Sequence, residues 1–199
     1  MILTSNGLSS DPLLRETAQR LRGKTAALIT TASLGYKEKD WNVPRLTEEL
    51  HSLGLSTECV DLDEEPPETL LSFDVIELMG GNPFYLLKRM KETNCTPVLK
   101  TLAAEKNVIG VSAGSLVLQR SIELAAGLTP EMNSQVGLSD LSGLGLTESE
   151  IFPHYHKFLP RFDRLEERIK EYESRKGSAV IRLDDGQGIF VDDENFYLI

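Results

Sequence analysis

Apolar segments with the character of β-strands alternate along the chain with segments that have the periodicity of amphipathic helices. The pattern predicts strands at residues 1–5, 25–31, 56–62, 74–79 and 107–111, then short strands at 151–152, 179–183, 188–191 and 196–198. It predicts helices at residues 11–22, 43–53, 84–91, 97–105, 116–119 and 161–175. Near-continuous apolar strands such as 25–31 are typical of a parallel sheet covered on both faces. The alternation therefore predicts an α/β fold of three layers, with helices on both faces of a parallel sheet.

The end of the chain has a different pattern, because its short strands follow one another without intervening helices. Turns at Asp184-Asp185-Gly186 and Asp192-Asp193-Glu194 separate these strands, and the arrangement predicts antiparallel strands at the edge of the sheet. The segment 129–149 is rich in Gly, Ser and Leu and is predicted as loop with short elements. Its sequence leaves open whether it forms a fixed wall or a mobile lid.

Length, charge and cysteine content narrow the class of protein. The 199 residues predict a single domain over residues 1–199. Cys59 and Cys95 are the only cysteines, which excludes a disulfide framework and a four-cysteine zinc site. The net charge of −10 argues against nucleic acid or an anionic membrane as a partner. Because no signal peptide and no long apolar run is recognisable, we expect a cytoplasmic protein, either monomer or homodimer.

The sharpest chemical signal is Gly110-Val-Ser112-Ala-Gly114, which lies between a predicted strand and a predicted helix. In this context Gly-x-Ser-x-Gly is typical of a nucleophile elbow. The glycines let the backbone pass through a strained turn that lifts the serine hydroxyl above the sheet. The Ala113 amide then faces a developing oxyanion at a helix N-terminus. The alternative interpretation is a tight turn in which Ser112 only caps the helix.

A serine nucleophile needs a base, and the chain has three histidines. His51 falls in an amphipathic helix and is predicted to lie on the surface. His154 and His156 follow the short strand 151–152 and could both reach the rim that carries Ser112. Their spacing points both to the same side of an extended chain, so the pattern leaves the choice between them open.

A carboxylate should orient the base, and in the order Ser, acid, His it would lie between Ser112 and His154. Five acidic residues fall in this interval: Glu123, Glu131, Asp140, Glu148 and Glu150. Spacing and composition do not distinguish among them.

A second glycine-rich turn, Gly80-Gly81-Asn82, also follows a predicted strand. Its amides could supply the other half of an oxyanion hole. The alternative is a plain turn before a helix that Asn82 caps and Pro83 begins. Neither Gly-Lys-Ser/Thr nor G-x-G-x-x-G is present, so nucleotide binding is weakly indicated.

The chain contains Met79-Gly-Gly-Asn-Pro-Phe-Tyr-Leu-Leu87, Gly110-Val-Ser-Ala-Gly-Ser115 and Phe152-Pro-His-Tyr155, in that order. Together these motifs resemble the peptidase E (aspartyl dipeptidase) and cyanophycinase family of serine peptidases. The similarity continues through Leu165-Glu-Glu-Arg-Ile169 and Asp185-Gly-Gln-Gly-Ile-Phe-Val191. It implies a flavodoxin-like α/β fold related to class I glutamine amidotransferases, with serine in place of their cysteine nucleophile.

The resemblance also implies roles for individual residues. Ser112 matches the nucleophile and His154 the base, in preference to His156, while Gly81 and Ala113 match the two oxyanion-hole amides. Where peptidase E has a Thr-Asn-Asp motif this chain has Thr129-Pro130-Glu131. Glu131 is therefore the expected third member of the triad, and Glu123 is the alternative.

One departure from the family concerns the substrate. The aspartyl-specific members have an arginine three residues before the position of Arg168, where this chain has Leu165. Leucine cannot pair with a carboxylate, so strict specificity for aspartyl peptides is not expected.

The leading hypothesis is a serine peptidase that hydrolyses short peptides and needs neither metal nor organic cofactor. One alternative is a non-catalytic binding or regulatory protein of the same fold. The other is a serine esterase or amidase that acts on a small metabolite.

Overall fold

A computed structural model describes residues 1–105, 107–192 and 195–199 of the chain. The strands of this part are β1 (Ile2–Thr4), β2 (Thr25–Ile29), β3 (Ser56–Val60), β4 (Val75–Leu78), β5 (Asn107–Val111), β6 (Glu150–Phe152), β7 (Val180–Arg182), β8 (Gly188–Asp192) and β9 (Asn195–Leu198). The α-helices are α1 (Asp11–Arg20), α2 (Val43–Ser52), α3 (Pro83–Glu92), α4 (Cys95–Glu105), α5 (Ala113–Leu118), α6 (Glu123–Leu128), α7 (Pro130–Ser134), α8 (Tyr155–Phe158) and α9 (Leu165–Lys176). Short 3-10 helices cover Lys37–Lys39 and Pro67–Ser72.

Seven strands form the main sheet, in the order β3-β2-β4-β5-β1-β8-β9. The first five of these are parallel, whereas β8 is antiparallel to β1 and β9 is antiparallel to β8. This confirms the predicted parallel α/β sheet with antiparallel C-terminal edge strands. Strands β6 and β7 form a separate parallel pair, which the sequence did not predict because a two-stranded sheet of three-residue strands has no distinctive pattern.

Burial on both faces of the sheet explains the continuous apolar strands. In β2, Ala27 and Ile29 pack into one core cluster, and Ala26 and Leu28 pack into clusters on the opposite face. Helices α3, α4 and α5 cover the first face, and α1 and α2 cover the second. A strand that is buried on both sides needs apolar residues at every position, and this confirms the three-layer prediction.

Several predicted boundaries shift in the structure. Helix α9 begins at Leu165 rather than at residue 161, because Arg164 has a left-handed backbone with φ 52° and cannot continue a helix through that point. Segment 129–149 contains the short helix α7. The predicted turn at residues 192–194 includes Asp193 and Glu194, which lie outside the described residues. No helix in the described ranges has the length and apolarity to span a bilayer.

The topology collects the ends of several strands at one edge of the sheet. Strands β4, β5 and β1 are neighbours and parallel, so the residues that follow them lie on the same rim. The Ser112 amide donates to the Thr4 carbonyl at 3.0 Å, which fixes the turn after β5 against the end of β1. The pair β6–β7 brings the loops that follow those two strands to the same rim.

Candidate active site

Ser112 lies in a strained turn between β5 and α5. Its backbone has φ 50° and ψ −109°, a region that non-glycine residues rarely adopt. The neighbouring glycines permit this turn, since a Cβ at Gly114 would lie 2.0 Å from the Leu78 carbonyl oxygen. One at Gly110 would lie 2.6 Å from the Ser115 Cα. The Ser112 hydroxyl makes no capping hydrogen bond to α5, so it is free for another partner.

That partner is His154. The His154 Nε2 lies 2.9 Å from the Ser112 Oγ, within hydrogen-bond distance. His154 follows β6 and has a left-handed backbone with φ 58° and ψ 31°, and its ring meets the edge of Phe158 at 5.6 Å between centroids. The structure therefore brings together the two residues that the motifs singled out as nucleophile and base.

His156 takes a different direction from His154. Its side chain is 72% exposed, and its Nδ1 lies 2.5 Å from the Asp184 carboxylate. Residue 154 begins a helical turn, so the two side chains do not share the side that an extended strand would have given them. His51 lies on the exposed face of α2. Neither histidine is placed at Ser112.

The carboxylate at the far nitrogen of His154 is Asp185, not the expected Glu131. The Asp185 Oδ1 forms a short hydrogen bond with the His154 Nδ1. Glu131 lies on the exposed surface of α7. The alternative, Glu123, pairs with Lys176 at 2.8 Å and with Arg175 at 3.8 Å. Both placements differ from the expectation, which rested on an acid located between the serine and the histidine in the sequence.

The other acidic residues between Ser112 and His154 in the sequence also contact residues other than His154. Asp140 pairs with Lys91 at 2.6 Å, Glu148 pairs with Arg120, and Glu150 is buried beside Tyr172. The signal for Asp185 was present in the sequence, as an acidic turn directly after the predicted strand 179–183. The order Ser, acid, His excludes Asp185, whereas triads occur in several orders.

Ser5, which directly follows β1, joins the other parts of the site. Its hydroxyl accepts the His154 backbone N–H at 2.8 Å and donates to the Asp185 Oδ1 at 3.0 Å. The Ser5 amide donates to the Gln187 carbonyl at 3.1 Å, in the same loop as Asp185. Sequence reasoning missed this residue, since a single serine at the end of a strand carries no motif.

Gly81 and Ala113 both line the space beside Ser112. Gly81 has φ +145°, and a Cβ there would lie 2.4 Å from the Ala32 carbonyl oxygen, so glycine is required. Among the described residues no acceptor is bonded to the Gly81 or Ala113 amide. Asn82 holds the turn, because its Oδ1 accepts from the Phe84 and Tyr85 amides at 2.9 and 3.1 Å. The arrangement leaves both amides available to an oxyanion.

The electrostatic environment favours a neutral imidazole. Burial lowers the pKa of His154 below its ordinary value, and the hydrogen bond and charge of Asp185 only partly offset this effect. Burial alone would raise the pKa of Asp185, but the hydrogen bonds from His154 and Ser5 and the positive charge of His154 lower it. At neutral pH the pair is therefore a neutral histidine and a carboxylate. This is the state in which Nε2 can accept a proton from Ser112.

Two cavities meet at these residues. The larger, of about 250 Å³, is lined by Gly81, Ser112, Ala113 and His154 among others. Most of its remaining wall is apolar: Leu116, Leu128, Met132, Phe152, Phe158 and Phe162. The smaller, of about 170 Å³, is more polar and is lined by Asn6, Trp41, Asn42 and Arg45 together with Gly81, Ser112 and His154.

Within the described ranges, no cluster of three or more His, Cys, Asp or Glu side chains is placed to hold a metal ion.

A strained serine, a hydrogen-bonded histidine–carboxylate pair and two open amides on an α/β sheet define the class of serine hydrolases. The model of peptidase family S51 matches residues 1–199. The chain therefore belongs to peptidase family S51, whose members are serine-type peptidases.

Relatives and solved structures agree with this assignment. An uncharacterized peptidase of Listeria monocytogenes is 30% identical over 196 residues, which cover 96% of this chain and 93% of that protein. A Pasteurella multocida protein named peptidase E is 29% identical and covers 90% of this chain and 76% of its own length. A crystal structure of a candidate peptidase E from Listeria monocytogenes is 28% identical, with a TM-score of 0.81 over 100% of this chain and 96% of that one.

Proposed function

We propose that the protein hydrolyses short peptides through an acyl-enzyme formed on Ser112. The observation that carries the proposal is the continuous series of hydrogen bonds from the Ser112 Oγ to His154 and on to Asp185. Three residues from the ends of β5, β6 and β7 converge in the relation that activates a serine. Membership of family S51 and similarity to a protein named peptidase E support a peptide as the substrate.

In the first half of the reaction, the Ser112 Oγ attacks the carbonyl carbon of the peptide bond while His154 Nε2 takes the hydroxyl proton. The carbonyl oxygen becomes an oxyanion, and the Gly81 and Ala113 amides donate hydrogen bonds to it. The bond between carbonyl carbon and nitrogen then breaks. His154 gives its proton to the leaving nitrogen, which departs as an amine and leaves an ester on Ser112.

In the second half, a water molecule attacks the ester carbonyl and His154 takes one of its protons. The bond to the Ser112 Oγ breaks, the proton returns to that oxygen, and the acid is released. Asp185 accepts the hydrogen bond of Nδ1–H throughout. It thereby holds the tautomer that leaves Nε2 free and stabilises the imidazolium while it exists. No metal or organic cofactor takes part in these steps.

The test compares wild-type protein with Ser112→Ala on two sets of substrates. Cleavage of dipeptides and tripeptides is measured by the release of new amines, and aryl esters of small acids form the second set. We expect hydrolysis of peptides by the wild type and none by the variant. Hydrolysis of aryl esters alone would replace the proposal by an esterase. If a folded wild-type protein cleaved neither set, a non-catalytic role for this fold would be favoured.

A further inference from the structure

The larger cavity continues directly from the proposed nucleophile. Gly81, Ser112 and Ala113 all line it, whereas the smaller cavity lacks Ala113. In an acyl-enzyme the acyl group is bonded to the Ser112 Oγ, and its carbonyl oxygen lies against both the Gly81 and the Ala113 amides. The cavity that all three residues line is therefore the one that fits the acyl group. That cavity is the larger one.

The wall of this cavity is apolar because it is made by a core cluster. Leu128 and Phe152 line the cavity and belong to the cluster that also contains the buried Leu165, Ile169 and Tyr172. Phe158 and Phe162 pack against the same cluster and complete the wall. A side chain that enters this space exchanges water for aromatic and aliphatic contacts, which favours apolar groups.

The size of the cavity suits a large side chain. Its volume is about 250 Å³, and an apolar protein cavity of about 150 Å³ holds a benzene molecule. A glycine or alanine side chain would leave most of the space unfilled, and a leucine, methionine or phenylalanine side chain would use it.

The charges around the cavity work against an acidic side chain. Glu150 lines the wall and is 9% exposed, so its carboxylate would repel another carboxylate through little intervening water. Lys157 and Arg161 also line the cavity, but both are exposed to solvent. Pairs made by such exposed cations are weak. Among the described residues that line the cavity, no buried Lys or Arg is present to pair with an acidic side chain.

We propose that this cavity selects a large apolar side chain on the residue whose carbonyl Ser112 attacks. The inference rests on the proposed function and adds the substrate class to it. Selectivity in apolar pockets changes by about 10- to 200-fold for each methylene group. Amides of leucine, methionine and phenylalanine should therefore exceed those of glycine and aspartate by at least about tenfold in kcat/KM.

The experiment uses aminoacyl amides of one fluorogenic amine, so that only the acyl residue varies among Leu, Met, Phe, Gly, Asp and Lys. Ala125 lines the cavity from α6, and Ala125→Leu should reduce cleavage after phenylalanine more than cleavage after glycine. The same substitution at Ala104, an exposed position of α4, is the matched control and should change neither rate. Because Ala125→Leu could disturb the fold, Met132→Arg at the cavity wall provides a second variant. It should lower cleavage after leucine and raise cleavage after aspartate.

Each outcome decides the inference. A preference for Leu, Met and Phe that the two cavity variants alter supports it. Fastest cleavage after Asp or Gly, or equal rates for all substrates, overturns the inference and leaves the proposed peptidase intact. Fastest cleavage after Lys also overturns it, because Glu150 would then set the choice. If folded protein hydrolyses none of the amides and none of the short peptides, the inference and the proposed function both fail.

Discussion

The side chains of His154 and Asp185 are hydrogen-bonded to each other although they lie 31 positions apart in the sequence. The pairing of β6 with β7 makes this contact, since each residue lies in the loop that follows one of these two parallel strands. The small two-stranded sheet thus aligns His154 with Asp185, while the main sheet carries Ser112.

The first prediction concerns that carboxylate. Asp185→Asn should lower kcat by about 10⁴-fold, because an amide at Nδ1 favours the wrong tautomer and cannot stabilise the imidazolium. Glu131→Gln and Glu123→Gln are the matched controls and should stay within a few-fold of the wild type. Steady-state rates on one good peptide substrate decide the matter. A large loss in Glu131→Gln with a small one in Asp185→Asn would reverse the assignment.

The second prediction concerns Ser5 as a positioning residue. Ser5→Ala removes the hydroxyl that binds both the His154 amide and the Asp185 carboxylate. A small displacement of a catalytic group can cost about 100-fold in rate, so we expect kcat to fall roughly 10- to 100-fold with little change in KM.

The control is Ser9→Ala, at an exposed position four residues after Ser5. This substitution should leave kcat and KM unchanged. Thermal denaturation of the two variants separates positioning from folding. An equal loss of kcat and of folded protein in Ser5→Ala would assign Ser5 a merely structural role.

The third prediction is the pH dependence of the reaction. Burial lowers the pKa of His154 below its usual value of 6.5, and catalysis needs the neutral ring. The rate kcat/KM should therefore be flat near pH 7 and above. It should decrease as the pH falls through a value below 6.5, with a slope of about tenfold per pH unit.

Removal of Asp185 should shift the acidic limb of the pH profile, where kcat/KM falls as His154 becomes protonated, in a defined direction. Its hydrogen bond and its negative charge both raise the pKa of His154, so Asp185→Asn should shift the limb to lower pH in whatever activity remains. Asp184→Asn is the control, since Asp184 bonds His156 and not His154. A shift to higher pH in Asp185→Asn would contradict the described contact.

The fourth prediction concerns the turn that carries Ser112. A Cβ at Gly114 would lie 2.0 Å from the Leu78 carbonyl oxygen, whereas one at Gly127 in α6 would meet nothing within 4 Å. Gly114→Ala should destabilise the protein by at least about 1–3 kcal/mol, as other overpacked sites do. Gly127→Ala should be neutral or stabilise it by up to about 1 kcal/mol, because alanine favours helix. Urea denaturation compares the two, and equal midpoints would contradict the close approach at Gly114.

Much of the fold was predictable because apolar continuity and turn residues are local signals. The strands 25–31 and 107–111 could be recognised from their composition alone, and the elbow at Ser112 from its glycines and its position between a strand and a helix. Asp185 lies in an acidic turn that the sequence shows, but its contact with His154 depends on the pairing of β6 with β7, and neither strand has more than three residues.

The cavity likewise could not be predicted from local sequence patterns. Its wall combines residues from β6 and from helices α5, α6, α7 and α8, which the chain order does not place together. The exposure of Glu131 and the ion pairs of Glu123 likewise depend on how α6, α7 and α9 pack. Local patterns thus singled out Ser112, and the resemblance to a known family selected His154, whereas tertiary packing places Asp185 beside His154 and forms the cavity.

In the proposed mechanism Ser112, activated by His154, forms a covalent acyl-enzyme. The most direct measurement is the intact mass of the folded protein after incubation with a fluorophosphonate probe, followed by peptide mapping. We expect one adduct per chain, located on Ser112, with none in Ser112→Ala and strongly slowed labelling in His154→Ala. Labelling that persists in Ser112→Ala, or a folded wild-type protein that takes up no probe, would contradict it.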